Sequence, residues 1–280
     1  MAPQKLSTWK AHGSQQDFMQ RDNCIIVTED DAVTGTANKY DSHRFLPEQP
    51  RGLLHRAFSV FLFNSEGKLL LQQRATDKIT FPGVWTNTCC SHPLYGQQPN
   101  ELDCYSNACL RACSCVWTNT CCSHPLYGQQ PNELDPDEAI ADASVPGAKA
   151  AAVRKLQHEL GISPQQLPAD RFKFLTRLHY CAADTDTHGP DAEWGEHEID
   201  YILLAQADVD LQPNPEEVAA VKHVDLQELQ AMMDPASGLK WSPWFRIIAQ
   251  HFLPTWWAEL QTTLSTDKHV EAGTIHRLDC

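Results

Sequence analysis

Three short stretches of this chain carry side chains able to do chemistry. Cys90-Ser-His92 puts a thiol and an imidazole two residues apart, so on a β-strand both leave the same face, while Cys89 alternates away and reads as a small buried hydrophobe. Glu196-His-Glu198 gives two carboxylates the same relation. Arg154-Lys-Leu-Gln-His-Glu-Leu-Gly-Ile162 reads as the last turns of a helix stopped at Gly161, with Glu159 its one carboxylate. A thiol is a proton carrier tuned by its neighbours, and paired carboxylates serve acid–base chemistry or divalent-cation binding. Taken alone, other candidates have plainer readings. Arg74 and Lys78 would end a solvated hairpin, Trp244 would sit in the core face of an amphipathic helix, Tyr180 would be a strand aromatic, and His43 and His55 would be surface or core histidines.

The elements that must position these groups follow from local pattern. Phe58–Phe63 and Lys68–Gln73, joined through Asn64-Ser-Glu-Gly67, predict a β-hairpin, and Trp85–Ser91 a further strand. Ala148–Leu160 predicts a helix with Ala152, Val153, Leu156 and Leu160 on one face. Ile199–Ala205 reads as a buried strand, and Asp225 caps a helix through Met233. Ser242-Pro243 starts a last helix that Pro254 interrupts. Strands before, between and after helices predict a mixed α/β (α+β) layered domain.

An internal repeat cuts across this plan. The twenty residues Val84–Asp103 recur without change as Val116–Asp135, separated by Cys104–Cys115. One perfect copy is not a solenoid array; it reads as a recent duplication or a gene-model artefact. Loop entropy grows only logarithmically, so the first copy is expected to keep its place after Phe81-Pro82-Gly83, with residues 104–135 as an inserted loop. In the opposite case Cys122 and His124 would take the places of Cys90 and His92. The spacer cysteines lack a Cys-x-x-Cys pair of the zinc type.

The helix ending at Gly161 matches the second half of the Nudix box, although Lys155 and His158 stand where that motif carries glutamates. One helix carboxylate can share a cation with a diphosphate but cannot alone build a hydrolytic metal cluster. With Trp85-Thr-Asn-Thr-Cys-Cys-Ser-His92-Pro-Leu, Trp194-Gly-Glu-His-Glu-Ile-Asp-Tyr201 and Leu239-Lys-Trp-Ser-Pro-Trp-Phe-Arg246, the chain closely resembles the type I isopentenyl-diphosphate isomerases of plants and green algae. The resemblance implies a single Nudix-like domain, an α/β/α sandwich around a mixed sheet over residues 21–262, with tails at 1–20 and 263–280. It further implies a divalent cation, Mg²⁺ or Mn²⁺ with Zn²⁺ an alternative, on His43, His55, His92, Glu196 and Glu198. A Mg²⁺ would bridge the diphosphate to Glu159, and Lys39, Arg74, Lys78 and Lys155 would contact the diphosphate.

The implied reaction interconverts isopentenyl and dimethylallyl diphosphates by a 1,3-proton shift through a tertiary carbocation. Glu198, or the Tyr180 phenol, would donate a proton on one face, the Cys90 thiolate would take or return one on the opposite face, and Trp244 would face the cation. A Nudix-type diphosphate hydrolase and a chain inactivated by its repeat are the competing expectations.

Composition describes an ordinary soluble globular protein. The 280 residues are 42% hydrophobic, and the formal charge of −14 argues against broad nucleic-acid binding, so an anionic ligand must be met by focused cations or metal ions. Eleven cysteines, an odd number with two doublets, read as reduced thiols. No apolar run is long enough to span a bilayer, and the family resemblance implies isoprenoid supply in a plastid stroma or the cytoplasm.

Overall fold

The computed structural model describes residues 19–20, 22–95 and 133–278. A ten-stranded mixed sheet organises it, and its main path runs β10-β7-β8-β3-β1-β2. The strands are β1 (Asn23–Val27), β2 (Val33–Asn38), β3 (His55–Phe63), β4 (Leu69–Arg74), β5 (Trp85–Thr86), β6 (Cys89–Ser91), β7 (Lys173–Ala183), β8 (Gly195–Gln206), β9 (Val218–Val224) and β10 (Ile275–Arg277). The helices are α1 (Lys39–Ser42), α2 (Asp137–Ala141), α3 (Pro146–Leu160), α4 (Thr185–His188), α5 (Leu226–Met233), α6 (Pro243–His251), α7 (Leu253–Ala258) and α8 (Leu260–Ser265).

β3 and β8 pair in parallel from His55↔Glu198 to Phe63↔Gln206 and are buried on both faces. Alternation then builds two cores. Phe58, Val60, Leu62, Ile199, Tyr201 and Leu203 pack with α3, whereas Phe61, Phe63, Ile202 and Leu204 pack with α6–α8. This is the expected α/β/α sandwich. No helix among the described residues is long and apolar enough to cross a membrane.

Three local expectations change in three dimensions. The Asn64–Gly67 turn forms, yet β3 and β4 share one ladder pair, Phe63↔Leu69; β3 turns to β6 and β8, and β4 to β5 and β9. The strand expected over Trp85–Ser91 breaks at Asn87-Thr88, because β5 joins β4 while β6 joins β3. Residues beyond 262 are not a simple tail: β10 pairs in parallel with β7. Pro254 interrupts α6 as expected but serves the first turn of α7.

The repeat is read in two pieces. Trp85–Tyr95 of the first copy occupies the domain, and chain description resumes with Glu133-Leu-Asp135, the end of the second copy. These three residues belong to the folded body, which corrects the inserted loop expected at 104–135. Asp135 accepts from the Gly147 and Ala148 amides at 2.6 and 2.8 Å, capping α3, and Arg56 donates to its carbonyl at 2.9 Å. Glu133 binds Arg154 at 2.7 Å and the Leu94 amide at 2.6 Å. Cys104–Cys115, Cys122 and His124 lie outside the described residues.

Candidate active site

His43 follows α1, His55 opens β3, His92 follows β6, and Glu196 lies on β8; one ligand atom from each falls within 4.8 Å of the others. All four residues are buried. His43 Nδ1 donates to the Lys39 carbonyl at 2.6 Å and His55 Nδ1 to the Leu53 carbonyl at 2.8 Å, leaving each Nε2 as a lone pair aimed inward. His43 Nε2 lies 2.8 Å from Glu196 Oε2, and neither atom nor His55 Nε2 has a hydrogen-bond partner. Buried polar atoms without partners are costly, and a shared divalent cation satisfies all of them at once. The residues therefore fit the cation implied by the sequence. Burial lowers His55 to about 3 and holds His92 well below the usual imidazole range, so both stay neutral. Glu198 adjoins this group, with Oε1 2.8 Å from His92 Nε2 and 3.8 Å from His55 Nε2.

The proton-carrying candidates share the same face of the sheet. Tyr180 pairs with Glu198 across β7 and β8, and its hydroxyl donates to Glu198 Oε2. Burial, reinforced by the Glu196 and Asp200 carboxylates, pushes Glu198 well above the ordinary carboxylate range. Burial together with Glu198 does the same to the Tyr180 phenol. Cys90 alternates away from Cys89 as expected: Cys89 joins the α3 core and Cys90 the opposite one. Burial and then Glu198 and Asp200 push the Cys90 thiol well up. Burial first, and then the carboxylates that β8 brings beside the sulfur, oppose the thiolate that the resemblance implies for Cys90.

These groups open onto a pocket of about 500 Å³ including its mouth, lined also by Lys39, Arg74, Lys78, Lys155, Glu159 and Trp244. His43, His55 and Tyr180 stand behind this lining, against Glu196 and Glu198, whereas Cys122 and His124 lie outside the described residues. Arg74 is fixed by the Phe81 and Thr80 carbonyls at 3.0 and 2.9 Å, with its guanidinium 5.9 Å from the Trp244 ring centre. Lys78 meets Glu217 at 2.6 Å; burial still lowers its ammonium to about 8. Lys155 lies 3.0 Å from Glu159, which holds that ammonium above its ordinary range against the effect of burial. Gln72 donates to the other Glu159 oxygen at 3.1 Å.

Several supporting residues escaped the sequence reading. Thr80 donates to Glu196 at 3.0 Å, and Asp200 accepts from Ser59 at 2.8 Å; burial raises Asp200 to about 7. Asp184 accepts from the Phe81 amide at 2.8 Å where that backbone adopts φ +47°, an uncommon conformation for a residue other than glycine. The only available sequence signal was position: Asp200 continues the i, i+2 series of Glu196 and Glu198, and Thr86-Asn87 precedes Cys90 on the same segment.

The NUDIX domain model matches residues 141–245. An isopentenyl-diphosphate delta-isomerase of Gibberella zeae is 41% identical over 267 residues, covering 95% of this chain and 87% of its own. The chloroplastic isopentenyl-diphosphate Delta-isomerase II of Arabidopsis thaliana is 40% identical over 268 residues, covering 94% and 77%. Isopentenyl-diphosphate Delta-isomerase I of Camptotheca acuminata is 41% identical over 266 residues, covering 94% and 89%. Identity at this level along nearly the whole chain, joined to a buried three-histidine, one-glutamate group, places the chain in the isopentenyl-diphosphate delta-isomerase family.

Proposed function

We infer that the chain interconverts isopentenyl diphosphate and dimethylallyl diphosphate. The observation that carries this reading is a single pocket in which Cys90, the Tyr180–Glu198 pair and the Trp244 ring stand beside four cationic side chains. Lys39, Arg74, Lys78 and Lys155 bind the diphosphate, which reconciles an anionic ligand with a chain of net charge −14. His43, His55, His92, Glu196 and Glu198 would hold Mn²⁺, Mg²⁺ or Zn²⁺, and Glu159 would help hold a second ion, Mg²⁺; their positive charge would increase the acidity of Glu198 and neutralise phosphate oxygens.

The double bond moves when one group protonates the alkene and another removes a proton from the opposite side of the resulting cation. Cys90 and Glu198 fill these places, and Tyr180 orients the Glu198 carboxyl through its hydroxyl. The Trp244 face stabilises the tertiary cation, and the enclosing side chains exclude water that would trap it.

Similarity to both fungal and chloroplastic relatives supports isoprenoid supply and leaves plastid and cytoplasm as the two compartments to compare. Incubation with isopentenyl diphosphate and Mg²⁺ in D₂O, followed by NMR, tests the assignment. Deuterated dimethylallyl diphosphate is expected, with a loss of at least about 10³-fold for Cys90→Ala or Glu198→Gln and little change for Cys122→Ala. Release of pyrophosphate or phosphate would instead identify a Nudix hydrolase, a reading disfavoured by Lys155 and His158 beside the lone Glu159. A folded chain with neither activity would mark the repeat as inactivating.

A further inference from the structure

We propose that Asn87 is a positioning residue that holds the Trp244 indole in register with Cys90, an inference that rests on the isomerase reading. Asn87 lies in the break between β5 and β6 and is fully buried. Its amide is completely used. Nδ2 donates to the Val60 carbonyl of β3 at 3.1 Å and to the Cys89 carbonyl at 2.6 Å. Oδ1 accepts from Thr86 Oγ1 at 2.8 Å and from Trp244 Nε1 at 3.2 Å. Two donors and two acceptor sites are thereby filled, and neither a flipped amide nor a different rotamer would keep all four bonds. The Cys89 carbonyl belongs to the peptide that carries Cys90. One side chain therefore grips both the backbone of the proton-carrying thiol and the ring assigned to the carbocation.

The surrounding bonds make this grip specific. The Trp85 amide donates to the Lys240 carbonyl at 2.8 Å, and the Ser242 amide donates back to the Trp85 carbonyl at 3.0 Å. Thr86 Oγ1 meets Ser242 Oγ at 2.9 Å, while Ser242 caps α6 through the Phe245 amide at 3.4 Å. Asn87 to Trp244 is the third step of this docking, and the one that reaches a pocket residue. Backbone contacts seat the start of α6, but rotation of the indole about its side-chain bonds is opposed by the Nε1–Asn87 bond. Phe81 meets the ring edge-on at 5.4 Å and Tyr180 lies 6.2 Å away, so a turned indole has neighbours to displace but no second acceptor assigned to its N–H.

An aromatic face attracts a cation only within about 6 Å of its centre, and the substrate is uncharged at its hydrocarbon end until the alkene is protonated. Misplacing the ring should therefore slow turnover without weakening substrate binding.

The test is a double-mutant cycle with isopentenyl diphosphate as substrate, joined to NMR of the indole N–H signals. Asn87→Ala is expected to lower kcat tenfold or more with KM within twofold. Trp244→Phe is expected to lose kcat similarly, and the double variant to fall no more than twofold below the lower single variant. Asn87→Asp keeps an acceptor for the indole and is expected to retain more kcat than Asn87→Ala. The Trp244 indole signal, identified as the one missing from Trp244→Phe, should exchange slowly in the wild type, shift and exchange faster in Asn87→Ala, and stay in place in Cys90→Ala. Multiplicative losses in the cycle, or an unmoved indole signal in Asn87→Ala, would overturn the proposal. A freely exchanging Trp244 N–H in the wild type would do so even if Asn87→Ala failed to fold. Absence of isomerase turnover in the wild type would defeat the functional reading, while the indole exchange would still decide whether Asn87 holds the ring.

Discussion

Removing residues 101–132 joins Asn100 to Glu133 and should stabilise the protein while leaving its catalysis intact. The deletion excises thirty-two residues, the length of one repeat copy plus its spacer, and restores a single Val84–Asp103 sequence. Tyr95 and Glu133 are described ends of the folded body, linked through residues 96–132. The Glu133–Arg154, Glu133–Leu94 and Asp135–α3 bonds all survive, because none of their residues is removed. The connection shortens from about thirty-seven residues to about five, and the (3/2)RT ln n dependence of loop closure makes that worth about 2 kcal/mol. For a domain of this size the melting temperature should rise by roughly 4–8 °C. Calorimetry and urea unfolding of the two chains measure the shift, and isomerase assays should agree within about twofold. A lower melting temperature or a broad, uncooperative transition in the shortened chain would refute the reasoning, since it would mean the excised residues contribute contacts to the fold.

Three further outcomes follow from other parts of the molecule. Gly147→Ala should lose about 1–3 kcal/mol in urea unfolding, because a Cβ there would stand 2.4 Å from the Glu133 carbonyl oxygen against a fixed backbone. Chelation should lower the melting temperature and added Mn²⁺, Mg²⁺ or Zn²⁺ should restore it: an ion at a hundred times its Kd stabilises the folded state by about 2.7 kcal/mol. His55→Ala should abolish that response, and an identical melt with and without ions in the wild type would contradict the assignment. Burial pushes the Cys24 thiol from its ordinary value near 9.0 up to about 12. Its raised folded value leaves stability intact below pH 9 and removes about 1.4 kcal/mol per pH unit as pH climbs from 9 toward 12. Cys24→Ala should flatten that share of the alkaline decline in urea titrations; an unchanged slope would show that the thiol ionises equally in both states.

What the sequence determined by itself are relations carried by covalent spacing. Cys90 and His92, or Glu196 and Glu198, share a strand face because side chains alternate, and α3 ends at Gly161 because glycine accepts the left-handed conformation seen there at φ +68°. The family resemblance extended this to residues far apart in the chain, such as His43 and Tyr180. Tertiary structure decided whatever depends on which strands become neighbours. The Asn64–Gly67 turn looked like a hairpin tip, yet β3 and β4 separate because their ladder partners are β8 and β9, segments that begin more than a hundred residues later. Identical repeat copies carry no local difference, so only packing could assign Trp85–Tyr95 from one copy and Glu133–Asp135 from the other to the folded body. The carboxylate surroundings of Cys90 and the bond from Asn87 to Trp244 were hidden for the same reason. Both depend on groups of β8 and α6 that meet β6 and its lead-in only when the sheet closes, and no periodicity along one segment records what another segment brings to it.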